Sequence, residues 1–137
     1  MFDLGKSIGE HMKQGDLLLL SGPLGAGKTV FVQGLGSALG IAGITSPTFV
    51  ISRTYKGLLP LIHVDAYRLL QSDNPNLAID DLDLDTEREN SVMVIEWGGE
   101  VAARLSQERL EISIDRESEV RKVTASGFGK RWGGFSL

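Results

Sequence analysis

Apolar runs separated by glycines organise the first hundred residues. Leu4, Ile8 and Met12 recur at four-residue spacing and predict an amphipathic helix over about residues 3–14, stopped near Gly15. Residues 16–21 form a short aliphatic run bounded by glycines, as a strand buried on both faces of a parallel sheet does. From Lys28 to about Leu39, Phe31, Leu35, Ala38 and Leu39 mark the inner face of a second helix, with Gly40 as its stop.

Residues 48–55 are rich in β-formers, and 61–65 make a second short apolar run ending in Asp65. Lys56-Gly57 between them predicts a hairpin-like pair. Residues 92–95 are a third buried-type strand, closed by Glu96. Residues 110–115 and 120–125 alternate apolar with polar, the habit of half-exposed antiparallel strands. The expectation is an α/β fold: a mixed, mostly parallel central sheet flanked by helices, with late antiparallel strands.

The 137 residues fit one domain at roughly 150 residues per domain. That domain is expected over 1–126, with 127–137 a loosely ordered, glycine-rich tail. The longest purely aliphatic run, residues 17–20, is far too short to span a bilayer, and the N-terminus carries no secretory pattern, so the expected compartment is the cytoplasm. The absence of cysteine removes disulfides, thiolate metal sites and cysteine nucleophiles together, and two histidines leave little for a zinc site. A net charge of −4 argues against a chain that coats nucleic acid, though not against a partner that holds RNA. Residues 72–100 hold nine acidic side chains against one basic, a solvated face or a docking surface for a basic partner.

Seven of the 17 glycines lie between Gly22 and Gly43. Within that stretch Gly22-Pro23-Leu24-Gly25-Ala26-Gly27-Lys28-Thr29 fits G-x-x-x-x-G-K-[ST], the P-loop pattern. Glycines let main-chain amides approach phosphate oxygens, and the following helix aims its positive end at the anion. Lys28 reaches the β- and γ-phosphates, and the Thr29 hydroxyl ligates Mg²⁺. Gly22, Leu24, Gly25, Ala26, Gly27, Lys28, Thr29 and Val30 are therefore the expected nucleotide-binding segment.

Phosphoryl transfer also needs a carboxylate near the metal, usually at the end of a neighbouring parallel strand. Asp65 and Glu96 both fit, and spacing alone does not say which holds the metal and which positions water. Ser46-Pro47-Thr48 is either a γ-phosphate sensor or a turn before a strand. Trp97 either lies near the nucleotide or packs, and Arg68 either meets phosphate or a partner or pairs with the acidic segment. His63 is read as a hydrogen-bonded structural histidine. Lys130, Arg131 and Trp132 suit stacked RNA bases but are read as part of the tail.

Gly-x-Leu-Gly-Ala-Gly-Lys-Thr, Ser46-Pro47-Thr48-Phe49, His63-x-Asp65-x-Tyr67-Arg68-Leu69 and Glu96-Trp97 together resemble the TsaE (YjeE) family, the bacterial ATPases of tRNA threonylcarbamoyladenosine biosynthesis. The resemblance runs from about Leu4 to Ala125. It implies a P-loop NTPase fold, ATP/ADP and Mg²⁺ as ligands, and a role as accessory ATPase to a TsaB–TsaD type complex, with tRNA met only through that complex. In it Lys28 binds phosphate, Thr29 and Glu96 bind Mg²⁺, Asp65 serves hydrolysis, and Thr48 and Trp97 line the nucleotide site. Pro23 and Gly98-Gly99 depart from the family pattern without touching Lys28, Thr29, Asp65 or Glu96. The rival readings are a small-molecule kinase, for which no Arg-rich lid is evident, and a non-catalytic nucleotide-dependent adaptor. A GTPase is disfavoured because neither Asn-Lys-x-Asp nor Asp-x-x-Gly occurs.

Overall fold

The aliphatic runs form the strands of one sheet, and the two helical patterns form helices packed on it. The computed structural model describes residues 1–22, 27–45, 52–65, 90–96, 108–117, 120–133 and 135. Its elements are α1 (Phe2–Gly9), β1 (Leu17–Ser21), α2 (Lys28–Ala38), β2 (Ser52–Tyr55), β3 (Leu61–Asp65), β4 (Val92–Glu96), β5 (Arg109–Glu117) and β6 (Val120–Phe128). The six-stranded sheet has the order β2-β3-β4-β1-β5-β6. β3, β4, β1 and β5 run parallel, and β2 and β6 flank them antiparallel. The mixed, mostly parallel architecture is the one the sequence implies.

Strand composition follows from position in the sheet. β1 and β4 are central, and Leu17, Leu18, Leu19, Leu20 and Val92, Met93, Val94, Ile95 are all buried, as strands covered on both faces require. β5 alternates because only Leu110, Ile112 and Ile114 enter the core, while Glu111 and Ser113 stay half-buried. Its alternation suggested a half-exposed antiparallel strand. It is antiparallel to β6 but parallel to β1. The predicted β2–β3 pair is present, with Tyr55 opposite Leu61.

α1 is shorter than its periodicity suggests. Beyond Gly9 the chain tightens into i→i−3 hydrogen bonds, His11 to Ile8 and Met12 to Gly9, which still bury Met12. α2 ends as expected at Gly40, whose amide bonds Ser37 while that of Ile41 bonds Gly36. The two helices pack backbone to backbone. A methyl group on Gly5 would overlap the Phe31 carbonyl, and one on Gly34 would overlap the Phe2 carbonyl. This reciprocal contact seats α2 directly against α1.

Where it is described, the C-terminal segment returns to the sheet. β6 runs to Phe128, the chain turns at Gly129 (φ 85°), and Trp132 returns to the core at 2% exposure. A Cβ at Gly127 would overlap the Trp132 backbone, which shows how closely the returning chain lies against β6. Arg131 stacks on Trp132, 4.3 Å from the ring centroid, and its guanidinium bonds both Asp16 carboxylate oxygens at 3.3 Å and the His11 carbonyl. Phe135 meets Trp132 edge-on at 5.5 Å. Arg131 and Trp132 are thus structural, not a surface for bases. No helix among the described residues is long and apolar enough to cross a membrane.

Candidate functional site

The site grows from the end of β1. Gly22 follows Ser21 directly, residues 23–26 (with Leu24, Gly25 and Ala26) lie outside the described residues, and the chain re-enters at Gly27 as the N-cap of α2. Gly27 has φ 102° and ψ 21°, a left-handed conformation that costs other L-residues roughly 1–2 kcal/mol. The first helical hydrogen bond is Phe31 to Gly27, so the amides ahead of Phe31 have no acceptor within the helix, and Gly27 as N-cap has no side chain to cap them. A helix start built this way presents N–H donors and the positive dipole end toward the loop.

Lys28 bridges the two ends of that loop. Its Nζ donates to the Gly22 carbonyl at 2.8 Å, which holds the ammonium over the span where the loop departs and returns. Thr29 is half-buried beside it, whereas the Val30 side chain is 42% exposed and can contribute to a ligand through its backbone alone.

The two carboxylate positions predicted from the strand ends are brought together. Asp65 and Glu96 are register partners across β3 and β4, and Glu96 is in turn the partner of Leu20 across β4 and β1. The carboxyl ends of three adjacent parallel strands thus coincide with the departure point of the glycine loop, where open α/β sheets collect ligands. Glu96 is 5% exposed.

Beside it is an arrangement that spacing did not reveal. His63 is completely buried, its Nε2 lies 3.6 Å from Glu96 Oε2, and neither ring nitrogen has a hydrogen-bond partner among the described residues. The expectation of a hydrogen-bonded structural histidine is corrected to that extent. The available signal was the period of two, which places 63 and 65 on one face of β3.

Thr48, Arg68 and Trp97 lie outside the described residues, as does most of the acidic segment. The chain entering Ser46-Pro47-Thr48 is anchored, however. Gln33 of α2 donates to the Ile44 carbonyl at 2.9 Å, Arg53 of β2 donates to Thr45 Oγ1 at 3.1 Å, and the Thr45 amide bonds the Tyr55 hydroxyl at 3.3 Å. Sequence reasoning missed Gln33, a polar residue on a helix whose neighbours Val32, Gly34 and Leu35 are buried.

Mg²⁺ suits this donor set. Among the described residues no three His, Asp or Glu side chains converge as an all-protein cage. Magnesium is typically held by one or two carboxylates together with substrate phosphates and water. A buried carboxylate at the end of β4, beside β1, and a hydroxyl in the first turn of α2 match that habit.

The parallel core, the strand–glycine-loop–helix unit and the paired acids define the P-loop class of α/β fold. A family model described as "Threonylcarbamoyl adenosine biosynthesis protein TsaE" matches residues 1–123. The tRNA threonylcarbamoyladenosine biosynthesis protein TsaE of Streptomyces coelicolor is 46% identical, covering 96% of this chain and 93% of its own length. The TsaE of Bacillus subtilis is 38% identical over 94% of this chain and 80% of its own. The crystal structure of Bacillus subtilis YdiB superposes with a TM-score of 0.70 at 35% identity, covering 97% of this chain and 84% of that one. The chain belongs to the TsaE family, and its role lies in tRNA threonylcarbamoyladenosine biosynthesis.

Proposed function

We propose that this chain binds and hydrolyses ATP with Mg²⁺, and that this ATPase cycle sustains a TsaB–TsaD type complex that modifies adenosine 37 of tRNA. The chain is not itself the threonylcarbamoyl transferase, and it meets tRNA only through that complex, in the cytoplasm. The observation that carries the reading is the convergence of the Lys28 ammonium, the left-handed Gly27 helix start and the buried Glu96 on the end of β1.

Each residue has a definite task. The amides of the loop and of the first turn of α2 hold phosphate oxygens by geometry and dipole. Lys28 exchanges the Gly22 carbonyl for the β- and γ-phosphates, and Thr29 and Glu96 would hold the metal. When bound, magnesium would neutralise negative charge on the β- and γ-phosphates. Asp65, in register with Glu96, orients the attacking water, while Thr48 and Trp97 line the nucleotide. Catalysis of this kind is positioning and electrostatics, which suits slow hydrolysis by the isolated chain and faster turnover with partners.

The test is reconstitution. Threonylcarbamoylation of tRNA, with the partner enzyme limiting, is expected to continue past one round only when this chain and ATP are both present. Inorganic phosphate should accumulate from the γ-position. Undiminished repeated turnover without this chain, or γ-phosphate appearing on a small metabolite instead, would overturn the reading.

A further inference from the structure

His63 occupies a position that an aliphatic residue would fill without penalty. It shares its strand with the buried Leu61, Ile62 and Val64, and its register partner across β4 is Val94. A buried imidazole whose nitrogens make no hydrogen bond is costly, so its presence calls for a polar purpose. The sheet supplies one. Glu96 follows Val94 by two residues on the same face of β4, and the ring therefore meets the carboxylate diagonally, Nε2 facing Oε2 at 3.6 Å. That separation exceeds a normal hydrogen bond by only a few tenths of an ångström.

The geometry points to His63 as the positioning residue of Glu96. With its proton on Nε2 and that small gap closed when the metal binds, the ring would donate to Oε2 and fix the carboxylate rotamer, leaving Oε1 for the metal or a metal-bound water. Ligating carboxylates are generally held by such outer hydrogen bonds, and their loss weakens metal binding. The inference rests on the reading of Glu96 as the protein's carboxylate ligand for magnesium. It adds a residue that touches neither nucleotide nor metal and acts through Glu96 alone.

Three substitutions separate this role from simple space-filling. Gln carries its amide nitrogen the same number of bonds from Cβ as imidazole Nε2, Asn places one at the Nδ1 level, and Leu fills the volume with no donor. Binding of ATP to each purified full-length variant is measured by calorimetry, first in excess EDTA and then across a magnesium series. The environment of manganese in the nucleotide complex is followed in parallel by electron paramagnetic resonance. His63→Leu and His63→Asn are expected to bind ATP in EDTA as the parent protein does, yet to need about 10-fold more magnesium for half-maximal enhancement, with a broadened manganese signal. His63→Gln is expected to restore the parent magnesium dependence and signal.

Equal magnesium dependence in His63→Leu and the parent overturns the inference. So does an equal weakening of all three variants in EDTA, which marks a packing role. A parent protein that shows no magnesium-dependent ATP binding overturns instead the functional reading beneath it, and this inference with it.

Discussion

The ammonium of Lys28 donates to the carbonyl of Gly22, six residues earlier, at 2.8 Å. The side chain thus closes its own loop end to end, holding a cation where a polyphosphate is expected. The loop is anchored below by β1, the strand whose neighbours β4 and β5 close the centre of the sheet.

If that ammonium transfers from carbonyl to phosphate, Lys28→Ala removes one charge-assisted contact and leaves the fold intact. A loss of roughly 10- to 100-fold in ATP affinity is expected from a hydrogen bond to a charged group, with an unchanged melting temperature. Isothermal calorimetry beside a thermal melt checks both halves. Unaltered affinity would remove Lys28 from the site.

Glu96 makes a different prediction. Glu96→Gln keeps the volume and the buried polar character while removing the charge, so metal-free nucleotide binding should persist. The enhancement that magnesium confers should fall, and hydrolysis with it. A magnesium titration of phosphate release measures this, and a variant with parent-like magnesium dependence would move the metal ligand elsewhere, Asp65 being the next candidate by register.

Gly34→Ala probes the seat of α2. The added methyl meets the Phe2 carbonyl, a backbone atom with no rotamer to yield, so the helices must separate. Overpacking of this kind costs about 1–3 kcal/mol. Urea unfolding is expected to show that loss. The mirror substitution Gly5→Ala, which strikes the Phe31 carbonyl, should do likewise.

Trp132→Ala tests the C-terminal segment. Trp132 is enclosed, stacked by Arg131 and edged by Phe135, and truncating a buried Trp typically costs about 3–5 kcal/mol. Thermal denaturation should register it as one of the most damaging single changes in the chain. A melt within a degree of the parent's would restore the loose-tail description.

Much of this was legible in the sequence, for physical reasons. β1, β3 and β4 announced themselves because a strand covered on both faces is built almost wholly of apolar residues, and α2 because its inner face repeats every three to four residues. The glycine at the start of α2 was legible because position 27 answers a backbone requirement, a positive φ that side chains rarely accept. What stayed hidden depends on contacts between distant positions. Nothing local in Lys130-Arg131-Trp132 betrays that Asp16, 115 residues earlier, receives the arginine. Nor does His63 carry any sign of Glu96 until the register of β3 against β4 is known. The parallel pairing of β5 was also concealed, because one polar face reads alike in either direction.

The sheet order has a bearing on synthesis. β1 precedes both of its parallel partners in the chain, and its two hydrogen-bonding edges are completed only by residues beyond 90. Trp132 and Arg131 then clamp the opening turn from the far end of the chain. The most aliphatic segment therefore stays unpaired until residues beyond 90 are made, an interval in which its exposed edges are open to aggregation.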